Sequence, residues 1–434
     1  MLSPQFNKTI LDNGIRVVTE THNWAKTVHV GFFIECGTKH ELEGQTGMAH
    51  LTEHMVFKGT ATKSSLDLVL DIEKAGADIN AHTSRDYTCF TTTGLKESLP
   101  LCLTTLTDLV FNADFKPDEF EREKGVVIQE IDMSKDNLED HIFDLFFELS
   151  FKGHPVSRNI LGSKKSLKKI TRQNLVDYYE QCYQPSKMVI SVAGPITHDE
   201  FLSLIKEQGL DQRKKSKPIL YKENVKLEPL SQVGFNEWQS RPSEQAHLVI
   251  GLPSVSFLDP YRFEAYVLSS YLGGGMTSRL YQVVREQKGW AYNVYTYLQS
   301  FLEGGSLSIY IGAASENVNA ILELLDQEFK LLLKDGISID DLNLYKTQVK
   351  ASIVMGMDDL ESRMNSIGVN EMIFKKYRSA EAVIEDLDKI SIESFNKMLP
   401  NSLIQDKMSI LCMGETNRLA PNSMTSFKDF KWTF

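Results

Sequence analysis

His50-Leu51-Thr52-Glu53-His54 is the stretch on which the reading of this chain turns. On an α-helix its two histidines stand one turn apart on one face, and Glu53, three residues after His50, shares that face. Two neutral imidazoles at this spacing make half of a zinc site, and a carboxylate beside them can take a proton from a metal-bound water. The bland alternative is an ordinary surface helix that happens to carry two histidines, so the rest of the chain has to decide.

At 434 residues the chain is too long for one core and is expected to split into two or three domains. Its hydrophobic share of 42% and charged share of 24% are those of a globular protein. No apolar run reaches the length of a membrane span, and the first residues lack the basic and apolar regions of a signal or transit peptide. The expectation is a cytoplasmic protein without membrane partners. A net charge of −11 disfavours nucleic acid as a partner. Cys36, Cys89, Cys102, Cys182 and Cys412 are scattered, with no C-x-x-C. Neither a disulfide framework nor a thiolate metal site is expected, and the cysteines read as small core residues.

The chain repeats one plan. Thr27-Val-His-Val-Gly-Phe-Phe-Ile opens the first half as an alternating strand, and His247-Leu-Val-Ile-Gly-Leu-Pro opens the second. Each is followed by a helical segment and then a β-branched, aromatic run, Asp86-Tyr-Thr-Cys-Phe-Thr-Thr-Thr-Gly94 or Gly305-Ser-Leu-Ser-Ile-Tyr-Ile-Gly312. A long helical pattern comes next in both. The first starts at Pro117 with Asp118 and Glu119 in its opening turn, and the second at Ser338, a plausible N-cap. Each half closes on a short strand ending in glycine, Met188–Gly194 and Met408–Gly414. Between them Leu210-Asp-Gln-Arg-Lys-Lys-Ser-Lys-Pro is polar and basic, as a linker would be. These patterns predict an α+β protein of two homologous domains, 1–210 and 232–434, joined by a linker over 211–231, each a mixed or antiparallel sheet covered by helices.

The repeat isolates what only one copy has. Where the first half carries the histidine motif, the second has Val267-Leu-Ser-Ser-Tyr271, and aligning the long helices sets Tyr345 against Glu123 and Ser352 against Glu130. The scaffold is shared and the His and Glu set is an addition. Catalytic zinc takes three protein ligands, so one is missing from the motif. Glu130 fills that place best: its neighbours are apolar, and a carboxylate there needs a cation or a hydrogen-bonding partner. Glu123 precedes it by seven residues, close to two turns, and shares its face.

In these residues the chain resembles the pitrilysin-type inverzincins, whose H-x-x-E-H order reverses the commoner H-E-x-x-H. The group, which includes insulin-degrading enzyme and mitochondrial processing peptidase, places a glutamate some 75 residues after the motif and another seven residues before that one; here 75 residues lie between His54 and Glu130, and Glu123 stands seven before it. Gly76-Ala-Asp-Ile-Asn-Ala-His-Thr-Ser84 matches the group's G-x-x-x-N-A-x-T segment, and Arg285 and Tyr292 match an Arg and Tyr it keeps seven residues apart. The resemblance covers nearly the whole chain. It implies one zinc per chain held by His50, His54 and Glu130, with Glu53 as general base and Glu123 orienting a ligand. It also implies Arg285 and Tyr292 on the substrate carbonyl, and Asn80 and Ala81 on an edge strand that pairs with substrate peptide. Relatives enclose peptides in a clamshell chamber of four such domains, so this chain would supply half, and a homodimer is expected. The rival readings are a non-catalytic or scaffold subunit of the same group, a structural zinc domain, and a non-peptidase metallohydrolase.

Overall fold

The computed structural model describes residues 5–214, 228–415 and 423–434. Its strands run β1 Gln5–Ile10, β2 Arg16–Thr21, β3 Thr27–Ile34, β4 Asp78–Thr83, β5 Thr88–Leu95, β6 Met188–Gly194, β7 Phe235–Ser240, β8 Ala246–Ser254, β9 Ala291–Ser300, β10 Gly305–Ala313 and β11 Ser409–Gly414. They form two sheets, ordered β1-β2-β6-β3-β5-β4 and β7-β11-β8-β10-β9. Without β1 the two orders are the same, and in each the first pair is parallel (β2 with β6, β7 with β11) while the remaining pairs are antiparallel. The duplication read from the sequence is therefore carried into topology, and the fold is α+β with mixed sheets. Burial follows position. β6 and β10 are buried along their whole length because both faces are covered, whereas β4 alternates exposed and half-buried residues as an edge strand should. Ser338 does cap the second long helix, Ile339–Met357, by accepting from the Asp341 N–H at 3.1 Å.

Two compact units emerge, each built from three segments. One comprises residues 1–133, 158–226 and 355–379; the other comprises 134–157, 227–354 and 380–434. The units divide the chain differently from the halves 1–210 and 232–434, because each half gives one helix to the other's sheet. The helix Leu360–Phe374 lies on the first sheet, packing Leu360, Met364 and Ile367 against Val18, Phe33, Cys89 and Val189. The helix Leu138–Ser150 lies on the second, packing Ile142, Phe146 and Phe147 against Val249, Tyr310, Leu411 and Met413. Gly251 of β8 makes room for that approach, since a Cβ there would sit 2.3 Å from the Phe146 ring. Most of the 211–231 linker, residues 215–227, lies outside the described residues.

The cysteines differ from expectation at one pair. Cys36, just after β3, and Cys182, at the end of the helix Arg172–Cys182, form a disulfide with Cα atoms 5.7 Å apart. A pair 146 residues apart leaves no local spacing signal, which is why composition missed it. Cys89, Cys102 and Cys412 are the buried core residues expected. Among the described residues no helix is long and apolar enough to cross a membrane.

Candidate metal centre

The motif forms the helix Met48–Val56. Met48, Ala49, Leu51, Thr52, Met55 and Val56 are buried against the first sheet and its covering helices, which leaves His50, Glu53 and His54 half-buried together on the remaining face. The helix starts on Gly47, whose backbone is left-handed at φ 90°, a conformation glycine adopts without strain. The third ligand arrives on the helix Pro117–Asp136. There Phe120, Glu123, Val127 and Ile131 form a buried stripe and Glu130 stands half-buried beside it.

These helices bring His50, His54 and Glu130 into one cluster, their ligand atoms all within 4.8 Å of one another. A Glu130 carboxylate oxygen lies 3.9 Å from His50 Nε2 and 3.5 Å from His54 Nε2. The rings of the two histidines are 4.5 Å apart between centroids. Glu123 is only 2% exposed and is gripped on both oxygens, by Lys58 Nζ at 2.8 Å and His54 Nδ1 at 3.1 Å. A ring nitrogen facing that carboxylate carries the proton, so in the neutral ring Nε2 of His54 presents a lone pair toward Glu130. Burial pushes His50 down to about 3, with His54 beside it acting in the same direction, so the His50 ring is neutral. Two imidazole rings and a carboxylate oxygen thus face one another across a few ångströms. That arrangement suits a cation, and two His with one Glu suit zinc.

Glu53 sits on the same helix face. Its carboxylate accepts from the Thr83 hydroxyl at 2.5 Å. Burial pushes its pKa above the usual range, and Glu130 adds to this, while Thr83 and His54 oppose it. Thr83 ends β4, and the alternation of that strand turns Ile79, Ala81 and Thr83 inward while Asp78, Asn80 and His82 are exposed. Ala81 packs beside the core; the Asn80 carboxamide folds back to accept the Ala81 N–H at 2.8 Å. Thr83 and Lys58 had no role in the sequence reading. Thr83 lay in the quoted 76–84 segment, two residues from Ala81 on the inward side, a signal that strand alternation carries. Lys58 follows His54 by four residues, in the turn just past the helix end, from which it reaches Glu123.

Arg285 and Tyr292 belong to the other unit. Arg285 is exposed on a π-helical turn, Tyr281–Glu286, its guanidinium stacked 4.7 Å over the Tyr281 ring. Tyr292 is 69% exposed at the start of β9, the edge strand equivalent to β4. The β9–β10 register shifts there: Ala291 faces Ala313 and Asn293 faces Gly312, so Tyr292 is the extra residue of a bulge. Bulges of this kind re-aim side chains near functional sites.

A duplicated α+β fold with two His and one Glu converging beside a buried glutamate, on an H-x-x-E-H helix, has the arrangement of the inverzincins. The family described as Insulinase (Peptidase family M16) matches residues 16–164, and the family domain described as Peptidase M16 inactive domain matches 169–349. The chain belongs to peptidase family M16. It is 32% identical over 394 residues to the uncharacterized zinc protease YmxG of Bacillus subtilis, covering 91% of this chain and 95% of that one. A relative from Rickettsia bellii, also named an uncharacterized zinc protease, is 26% identical over 430 residues, covering 98% and 100%. In fold the chain is similar to a peptidase M16 inactive domain from Pseudomonas fluorescens (TM-score 0.87, 20% identity, 96% of this chain and 100% of that one). It is likewise similar to a protease from Helicobacter pylori (TM-score 0.86, 17% identity, 95% and 100%).

Proposed function

We propose that this chain is a zinc-dependent endopeptidase that hydrolyses peptides or unfolded polypeptides, binding one zinc through His50, His54 and Glu130. The carrying observation is the convergence of those three side chains, their ligand atoms all within 4.8 Å of one another and His54 Nδ1 occupied by Glu123. Relatives named zinc proteases over nine-tenths of the chain support the same reading. Zinc at such a site supplies a Lewis-acid charge that acidifies water and polarises a carbonyl.

The chain's own residues do the rest. Glu53 accepts the proton of the attacking water and returns it to the leaving amine, and its raised pKa brings it nearer the pH at which both transfers are favourable. Thr83 holds that carboxylate in place. Lys58 and Glu123 fix the tautomer and orientation of His54. The extended edge β4, with Asn80 and Ala81, binds substrate by backbone pairing, which tolerates many sequences but demands an extended chain. Arg285 and Tyr292 serve the carbonyl oxygen as negative charge develops on it. Two copies of the chain form a homodimer whose domains enclose the peptide.

Glu53→Gln tests the reading. The amide cannot accept a proton, so the variant should retain zinc while cleavage of a flexible peptide falls by about three orders of magnitude. Cleavage at near-native rate would reject Glu53 as the base, and loss of zinc would make it part of the metal site instead.

A further inference from the structure

The motif helix lacks the device that normally closes a helix start. Its N-cap is Gly47, which has no side chain to accept the first-turn amides. Yet those amides are not left open. Glu41, six residues upstream and buried, folds its carboxylate back onto them: one oxygen accepts the Gly47 N–H at 3.2 Å, the other the Ala49 N–H at 2.9 Å. The loop carrying Glu41 is itself clamped. Arg158, from a segment far along the chain, donates its guanidinium to the main-chain carbonyls of Glu41 at 2.5 Å, Lys39 at 3.2 Å and Thr38 at 3.4 Å. An aliphatic side chain at this position would leave the Gly47 and Ala49 amides without their acceptor.

What the cap controls follows from the position of His50, the third residue of a nine-residue helix. It lies within the very turn whose amides Glu41 holds. A helix start that frays or turns by a fraction of a residue would carry His50 away from Glu130, while His54, one turn deeper and tied to Glu123, would stay. Among the described residues, moreover, Nδ1 of His50 is buried with no hydrogen-bond partner. His54 has its carboxylate to hold it; His50 depends on its backbone.

We propose that Glu41 is a positioning residue of the metal centre, holding the first turn of the motif helix so that His50 meets His54 and Glu130, with Arg158 fixing the loop that delivers it. The inference rests on the zinc reading above and adds a residue to it. Glu41→Gln keeps the shape but offers one acceptor where two amides need two, and turns an N–H group toward the other. Zinc affinity of the purified full-length chain, measured by competition with a chromophoric chelator, should fall about 10–100-fold, as when other residues that orient a ligand are removed. Thr197→Ala is the control. Thr197 caps the remote helix His198–Glu207 by accepting from the Glu200 N–H at 3.3 Å, so its loss should lower Tm without changing zinc affinity. Glu41→Asp, with the carboxylate retained one methylene short, should fall between wild type and Glu41→Gln. Wild-type zinc affinity in Glu41→Gln, with only a drop in Tm like the control's, would overturn the proposal. If Glu41→Gln does not fold, wild-type affinity in Glu41→Asp would overturn it as well. A wild-type chain that binds no zinc would remove the metal site itself, and the role of Glu41 with it.

Discussion

His54 shows how much of the centre is decided one residue at a time. Its Nδ1 is taken by Glu123, whose other oxygen is taken by Lys58, and only Nε2 is left to face Glu130. Two predictions belong here. Glu130→Gln should sharply reduce the zinc content of purified protein, and full retention would remove Glu130 from the site. Glu123→Gln should bind zinc about 10–100-fold more weakly, since the amide no longer enforces one tautomer of His54; a chelator titration with unchanged affinity would reduce Glu123 to a core residue. The spacing of His50, Glu53 and His54 was legible because helical geometry alone puts them on one face, and Glu130 was legible as a carboxylate among apolar neighbours. Thr83, Lys58 and Glu41 were not read. Each acts through a contact that exists only once a strand end, a helix end or a loop has been brought to the motif helix.

At the scale of elements, strand alternation, helix starts and closing glycines were enough to place most of the repeated scaffold. The exchange of helices was not legible. An amphipathic pattern says that a helix has an apolar face, but not which sheet receives it. In the first unit the exchanged helix Leu360–Phe374 is also fastened by charge: Arg363 donates to both oxygens of Glu20 at 2.8 and 2.6 Å, and His22 approaches one of them at 2.8 Å. Burial by itself would raise the Glu20 pKa, but the hydrogen bonds from Arg363 and His22 hold it down to about 2. A carboxylate depressed in the folded state stabilises fully above its unfolded pKa near 4.5, and that stabilisation is lost as pH falls from there toward 2. Thermal unfolding between pH 7 and pH 2.5 should therefore show Tm declining below about pH 4.5. Arg363→Met should cost about 3–5 kcal/mol at neutral pH by leaving Glu20 buried without its partner. A variant as stable as wild type at pH 7 would show that the pair does not hold the helix.

For the whole molecule, the two edge strands at equivalent ends of the two sheets carry different halves of the proposed chemistry, β4 beside Glu53 and β9 with Tyr292. One chain holds both sets, so a homodimer would need no other subunit. If each composite site takes zinc ligands from one copy and the Arg285–Tyr292 pair from the other, mixing inactive Glu53→Gln chains with inactive Arg285→Ala chains should restore part of the activity. No recovery despite proven subunit exchange would place the whole site within one chain. Backbone pairing along β4 further predicts selection by flexibility: a reduced, unfolded protein should be cleaved and its stably folded form spared, as fragment analysis by mass spectrometry would show.

The exchanged helices also bear on how the chain is made. A ribosome releases the N-terminal strands first, and β6 completes the first sheet at Gly194, but the helix that covers Val18, Phe33, Cys89 and Val189 ends at Phe374. At ~5–20 residues per second, that sheet waits on the order of 10–40 s with a bare apolar face. The nascent protein is thus open to chaperones and to its own neighbours over the interval from Gly194 to Phe374.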